Sequence, residues 1–476
     1  MGPVQPCAEP SRPLEVLLAI DRGAARTLGE QIEVQLRRAI QDGNLRAAAR
    51  LPSTRDLARQ LSVSRRVTVD AYSQLAAEGY ITLQQGAHPR VAEGGRRSAP
   101  SAPSTPLASP PPPRFDFRPA RPDVSAFPRR AWARSLREAV SNVSDAELVY
   151  GDPCGVDLLR NTLAEYLGRA RGVTADPRNV VVTSGYIQGL GIVCRALAAR
   201  GARRIALEDP SAPEQEPIAR RAGLEPVPVP VDGEGLRVEL LDGIAVDAVV
   251  VTPAHQHPTG VVLSPRRRSA LRDWLRAADA IAVEDDYDAE FRYDRAAVGA
   301  LQGLDPERVV YCGSASKTLA PALRLGWLVV PAGLGAAVAE EKFLADQGTA
   351  RIEQHAMADF IARGELDRHL RRMRLRYRAR RDALISALAD AVPGASVRGI
   401  AAGLHVTVGL PDRHDEQRLR AAAADRRLEL STLSDYRPGA FDTDPVLLLG
   451  YSQLHEASIP SAVEELARVL DVSRLS

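Results

Sequence analysis

Lys317 is one of two lysines in a chain of 476 residues whose lysines and arginines together number 62. It lies in "GSASKTLAPALRLGW", residues 313–327. Where arginine is used almost everywhere, a retained lysine points to chemistry that a guanidinium cannot do. An amine can lose its proton near neutral pH and attack a carbonyl to form a Schiff base. Other reactive types stand at similar places. "TSGYIQGL" brings Ser184, Gly185 and Tyr186 to a strand-to-helix turn, where free backbone N–H groups and the helix dipole suit a phosphate. "VEDDYDAEFRY" ends a strand with Asp285 and Tyr287, "GSASK" adds Ser314 beside Lys317, and Arg324 offers a planar fork for a phosphate.

A phosphate cup, a carboxylate, a phenol and a lysine are together what pyridoxal phosphate (PLP) requires. The lysine holds the aldehyde as an internal aldimine, and a buried Asp keeps the pyridine nitrogen protonated so that the ring withdraws electrons. The phenol hydrogen-bonds the ring hydroxyl.

These residues must be positioned by strands. "NVVVTSG", "RIALED", "AVVVTP", "IAVEDD", "VVYCGS" and "GWLVVP" are short apolar runs ending in small or polar residues. Continuous Val/Ile/Leu strands separated by helical stretches predict a mainly parallel sheet covered on both faces, with the ligand beyond the strand ends. From about Gln347 longer helices and fewer strands predict a small C-terminal α+β subdomain, 347–476, within an α/β body spanning 115–476.

The N-terminal part reads differently. "EGGRRSAPSAPSTPLASPPPPR" is rich in Pro, Ser and Ala and predicts an extended linker over 93–114. Before it, residues 14–92 predict a winged helix-turn-helix. Leu28, Ile32, Leu36 and Ile40 fall at helical spacing and stop at Gly43. Two further helices follow, one capped by Ser53 or Thr54 and carrying Leu57 and Leu61, the next capped by Ser64 with Val67, Ala71 and Leu75 on one side. "YITLQQGAHPRVA" predicts a two-stranded wing turning near Gly86. Ser53, Thr54, Arg55, Ser64, Arg65, Arg66, Thr68 and, in the wing, Arg90 are placed to meet DNA. Residues 1–99 hold 14 arginines against 10 acidic groups, whereas the whole chain is formally +2. A basic head on a neutral body is compatible with nucleic-acid binding.

The sequence resembles fold-type I aminotransferases and, taken with its N-terminal part, the MocR/GabR subfamily of GntR-type regulators. "LPSTRDLARQLSVSR" carries the likeness in the head; "YGDPCGVDLLR", "TPAHQHPTG", "EDDYDAEFRY", "SASK" and "LRLGW" carry it in the body. The resemblance implies Lys317 as the aldimine lysine, Asp285 on the pyridine nitrogen and Tyr287 on the ring oxygen. Ser184, Gly185, Tyr186, Ser314 and Arg324 would hold the phosphate, with Tyr150 reaching it from a second subunit of a homodimer. His257 stands where aminotransferases have the Asn of Asn-Pro-Thr-Gly, and Ala212 where many relatives have an aromatic. The late strand "PVLLLGYSQL" lacks the substrate-carboxylate arginine, leaving Arg437 as the nearest substitute.

The expectation is a cytoplasmic, dimeric, PLP-dependent transcriptional regulator that binds a double-stranded operator and senses PLP, an amine or an amino acid. An aminotransferase with an accessory DNA-binding domain, and a regulator that has lost the cofactor, are the alternatives. No transmembrane segment or signal peptide is expected. Cys7, Cys154, Cys194 and Cys312 are too far apart for a CxxC pair and are read as reduced thiols. His255, His257, His369, His405 and His455 share no metal-ligand spacing and are read as core or surface residues. "HLRRMRLRYRARR" is a basic helix, read as a solvated face paired with acids before a DNA contact.

Overall fold

The computed structural model describes residues 18–93, 112–293, 298–437 and 445–475, and its second compact unit begins at Pro112. The predicted linker lies mostly outside the described residues.

The first unit holds helices α1 (Leu28–Gln41), α2 (Thr54–Gln60) and α3 (Arg65–Ala77), then strands β1 (Ile81–Thr82) and β2 (Arg90–Val91). Local chemistry fixes the helix ends. Thr27 accepts from the Glu30 amide while the Glu30 carboxylate accepts from the Thr27 amide, a reciprocal cap on α1. Ser53 and Ser64 are the N-caps of α2 and α3, accepting from the amides of Asp56 and Val67. Ile32, Leu36, Leu57, Ala71, Leu75, Ile81 and Val91 form one core. Burying each of the larger side chains contributes roughly 1.5–3 kcal/mol.

The buried face of α3 carries the expected Ala71 and Leu75, with Val67 packed at its edge, and adds Thr68. Thr68 is fully buried and Val67 only half so. The Thr68 hydroxyl bonds the carbonyls of Thr54 (2.8 Å) and Arg65 (2.9 Å), which satisfies it inside and locks α2 to α3. Thr68 is therefore a helix-pairing residue, not a DNA contact.

The second unit is built on an eight-stranded sheet of order β4-β11-β10-β9-β8-β5-β6-β7. After β3 (Phe115–Asp116), its strands are β4 (Val180–Thr183), β5 (Arg204–Asp209), β6 (Glu225–Asp232), β7 (Gly235–Leu236), β8 (Ala248–Val251), β9 (Ile281–Asp286), β10 (Val309–Ser314) and β11 (Gly326–Val329). Helices α4 (Arg129–Asn142), α5 (Asp157–Arg171), α6 (Tyr186–Ala199), α7 (Gln215–Arg221), α8 (Pro265–Ala277), α9 (Ala315–Thr318), α10 (Ala332–Asp346), α11 (Arg351–Ala362) and α12 (Glu365–Ala391) surround it. Successive residues of β8 serve opposite faces. Ala248 and Val250 pack with Leu190, Cys194 and Leu197 of α6, while Val249 and Val251 pack with Leu271, Trp274 and Leu275 of α8.

Pairing is parallel from β10 through β9, β8 and β5 to β6, while β11 runs against its neighbours β10 and β4 and β7 runs against β6. The β10–β11 connection, residues 315–325, is too short for a helical crossover, so the chain must turn straight back. That short return carries both Lys317 and Arg324.

Strand β6 escaped the sequence analysis because its "EPVPVPVD" alternates with proline. Pro226, Pro228 and Pro230 share one side of the strand, where no N–H is needed, while the Glu225 amide donates to Arg203 on the β5 side. The "DGEG" turn then folds β7 back onto β6.

A second sheet, β12 (Ser396–Arg398), β13 (His405–Gly409), β15 (Ser431–Thr432) and β16 (Val446–Gly450), is ordered β12-β13-β16-β15 and lies with α13 (Glu416–Asp425) and α14 (Ile459–Ser473). The pairing of β14 (Leu428–Glu429) with β3 joins residues near 115 to this C-terminal part. On α12, Arg380 is buried against Asp123 (2.9 Å) and Arg376 reaches the same carboxylate (3.2 Å), so the basic helix is knitted into its own unit. Lys342 is fully buried, its Nζ 2.5 Å from Asp346 and 3.1 Å from the Thr349 hydroxyl. Among the described residues no helix is long and apolar enough to cross a membrane.

Candidate functional site

A cavity of about 240 Å³ lies beyond the C-terminal ends of the parallel strands, lined by residues that include Tyr186, Ala212, Glu214, His257, Asp285, Tyr287, Ser314, Lys317 and Arg324. Most of the cofactor residues expected from the sequence thus meet in one place. Ser184 is adjacent, its amide donating to Gln188 (2.7 Å), and Gly185 caps α6 with φ 103°, a conformation open to glycine. A Cβ at Gly185 would stand 3.5 Å from the Arg324 guanidinium. Arg324 itself holds φ 50°, an uncommon value for a side chain, on the β10–β11 return. Ser314 caps α9 by accepting from the Ser316 amide (3.1 Å).

The electrostatics suit amine chemistry. Burial pushes the Lys317 ammonium below its ordinary pKa, partly offset by Asp285 and then Glu214. A lysine desolvated in this way is more readily the free amine that attacks carbonyls. Burial, followed by the neighbouring Asp286 charge, pushes Asp285 well up, and Lys317 opposes it. An Asp so placed is stabilised in its charged form by a cationic ring nitrogen. Below it, Asp286 is held by buried Arg171 (2.7 Å) and the Tyr311 hydroxyl (2.8 Å). Burial also pushes Cys154 to about 11 and Cys194 to about 12, leaving inert thiols.

Three histidines treated separately in the sequence come together here. His255 Nδ1 lies 2.9 Å from Asp288 and 3.1 Å from the Tyr287 hydroxyl, and His405 Nε2 lies 3.0 Å from the Pro258 carbonyl. The His257 ring meets Tyr287, His405 and Tyr436 edge-on at 5.5, 5.5 and 5.0 Å. His257 Nδ1 is buried with no hydrogen-bond partner, a polar atom on the cavity wall that a ligand oxygen would satisfy. The His-x-His spacing of "HQHPTG" was the available signal. Among the described residues no group is arranged to hold a metal ion.

The wall at Ala212 is supplied with an aromatic from elsewhere. The Tyr186 ring, on the opposite strand-to-helix turn, lines the cavity, and its hydroxyl accepts from buried Gln215 (2.9 Å). Tyr150 is 86% exposed and lies outside this cavity. Arg437 does not line it either; its guanidinium is spent on Asp209 (2.9 Å). In the winged unit Arg55, Arg65, Arg66 and Arg90 are exposed, Arg90 donating to the Ala48 carbonyl. Ser53 and Ser64 are committed to capping.

Glu208 braces the loops that bear His257 and Ala212. It accepts from the Thr252 hydroxyl (2.5 Å) and Gln256 (3.2 Å), and Gln256 also donates to the Pro210 carbonyl (2.8 Å). Burial raises its carboxyl from 4.5 to about 7 against these hydrogen bonds. A carboxyl that binds its proton more tightly when folded contributes stability present below 4.5 and lost as pH rises through 7. Glu208→Gln is expected to gain on the order of 2 kcal/mol relative to wild type between pH 5 and 8. Paired thermal melts across that range check it, and a pH-independent difference contradicts it. Buried His405, pushed down to about 4, has the opposite slope at lower pH but is common to both proteins.

A carboxylate, a phenol, a desolvated lysine and an arginine at the ends of a sheet in this order define a protein of the aminotransferase fold. The description "Aminotransferase class I and II" matches residues 123–429, and "Bacterial regulatory proteins, gntR family" matches residues 28–91. The chain belongs to the MocR/GabR type of GntR-family helix-turn-helix regulators, in which a winged helix is joined to an aminotransferase-like unit. The HTH-type pyridoxine biosynthesis transcriptional regulator PdxR of Corynebacterium glutamicum is 31% identical, over 94% of this chain and 97% of that one. The probable rhizopine catabolism regulatory protein MocR of Rhizobium meliloti is 34% identical over 78% and 79% of the two chains. Among solved structures, kynurenine aminotransferase of Pyrococcus horikoshii superposes with TM-score 0.68 at 26% identity, covering 75% of this chain and 90% of that one.

Proposed function

We propose that this chain is an operator-binding regulator whose aminotransferase-like unit binds PLP, and that occupancy of this cavity by PLP or an amine sets its affinity for DNA. One observation carries this: a single chain holds a GntR winged helix and a cavity built from Lys317, Asp285, Tyr287, His257 and Arg324. PLP, when bound, supplies an aldehyde that captures primary amines reversibly and a ring that withdraws electrons. Lys317 would hold the aldehyde end. Asp285 would keep the ring nitrogen protonated. Tyr287 and His257 would serve the ring hydroxyl, and the α6 start at Gly185 and Tyr186, with Ser184, Ser314 and Arg324, would bind the phosphate.

Arg65 and Arg66, in the first exposed turn of α3, contact base edges and phosphates, with Arg55 and Arg90 on the flanking backbone. The protein acts as a homodimer. Leu148 (57% exposed), Val149 (61%), Tyr150 and Leu344 (70%) leave apolar surface open, and Tyr150 would reach the cavity of a second copy. The absence of an arginine from β16 "VLLLG" weighs against an amino-acid transaminase.

The test is linkage. A DNA fragment selected from a random pool by the full chain is titrated with PLP-free and PLP-loaded protein. Affinities differing at least about fivefold are expected. Equal affinities would remove the proposed coupling.

A further inference from the structure

Resting on that PLP reading, we propose that Glu214 makes the open end of the cavity selective for a cation, so that the effector is an amine bearing a second positive charge, a diamine, and not an amino acid. Four charged residues line the cavity: Lys317, Arg324, Asp285 and Glu214. The first three have work to do on the aldehyde, phosphate and ring nitrogen. Glu214 has none. It is exposed, stands just before α7, and its carboxylate makes no hydrogen bond or ion pair among the described residues. Its carboxylate is close enough to act on Lys317, second only to Asp285 among the charges there.

The arginines near this end are already neutralised. Arg437 is paired with Asp209 at 2.9 Å. Arg121 lies 3.4 Å from Asp116, which also holds Arg118 at 2.6 Å, and Arg118 lies 3.8 Å from Glu429, two cations against two anions. Among the described residues an effector carboxylate therefore finds no spare guanidinium at this end and meets a bare carboxylate. An ammonium at the same position gains an ion pair without displacing one. Glu214 is thus a specificity-determining residue that the cofactor chemistry itself does not use.

The experiment loads wild type and Glu214→Gln with PLP, scores each for retained visible absorbance, and titrates each by calorimetry with 1,4-diaminobutane, butylamine and 4-aminobutanoate. These share a four-carbon spacing and differ in the charge of the far end. Wild type is expected to bind the diamine about fivefold tighter than butylamine and the amino acid most weakly. In Glu214→Gln the diamine and butylamine should converge, while Glu214→Asp keeps part of the gap. A wild type that takes up PLP but shows no diamine preference, or a preference that persists in Glu214→Gln, overturns this inference alone. A wild type that takes up no PLP overturns it together with the cofactor reading.

Discussion

Lys317→Ala is expected to abolish retention of PLP: after loading and dialysis the wild type keeps visible absorbance that borohydride removes, and the variant keeps none. Among the described residues the lysine is the only amine lining the cavity, and burial there depresses its proton affinity, partly offset by Asp285. Without it, binding falls back on the phosphate and ring contacts, a loss of at least about 100-fold in affinity once the covalent tether is gone. Folding should be spared, since removing an amine from a desolvated cavity deletes a polar group that costs free energy to bury. The melting temperature of the PLP-free variant should therefore match or exceed that of PLP-free wild type. A variant that still retains the absorbance would transfer the role to another group and dismantle the assigned site.

Replacing Arg65 and Arg66 together with alanine is expected to weaken binding to the selected DNA fragment by roughly 100-fold. Both are exposed in the first turn of α3. The nearest competitor, Asp70, is 3.8 Å from Arg66, whose side chain is 91% exposed. A base-edge contact is worth about 1–3 kcal/mol, and each lost phosphate contact lowers the salt slope by about one. The Ser64 cap and the buried Thr68, Ala71 and Leu75 are untouched, so far-UV circular dichroism should not change. Anisotropy titrations at several salt concentrations separate the two terms. Unchanged affinity would mean that α3 is not the recognition helix.

Much of this was legible in the sequence because it rests on short-range rules. Cap residues, apolar periodicity and reactive groups at strand ends each leave a local mark, and Lys317, Asp285, Tyr287 and Arg324 could be assembled from them. What escaped depended on partners far along the chain. Thr68 took a core position because carbonyls of Thr54 and Arg65 were there to receive its hydroxyl. Strand β6 was hidden by prolines that are tolerated only on the side turned away from β5. His405 joins His255 and His257 only through the packing of β13 on the "HQHPTG" loop. Glu214 looks like any surface acid until the neighbouring arginines are seen to be matched elsewhere.

The burial of Lys342 bears on how selectively this protein meets aldehydes. Arginine does not form imines, and the second lysine is locked inside an ion pair with no exposed surface. Every other cationic side chain in the sequence is arginine or histidine. Lys317 is therefore the one lysine a dissolved aldehyde can reach. A surface without competing lysine sinks leaves few side-chain amines for stray carbonyl compounds to decorate, so lysine-directed reductive labelling reports on this one site.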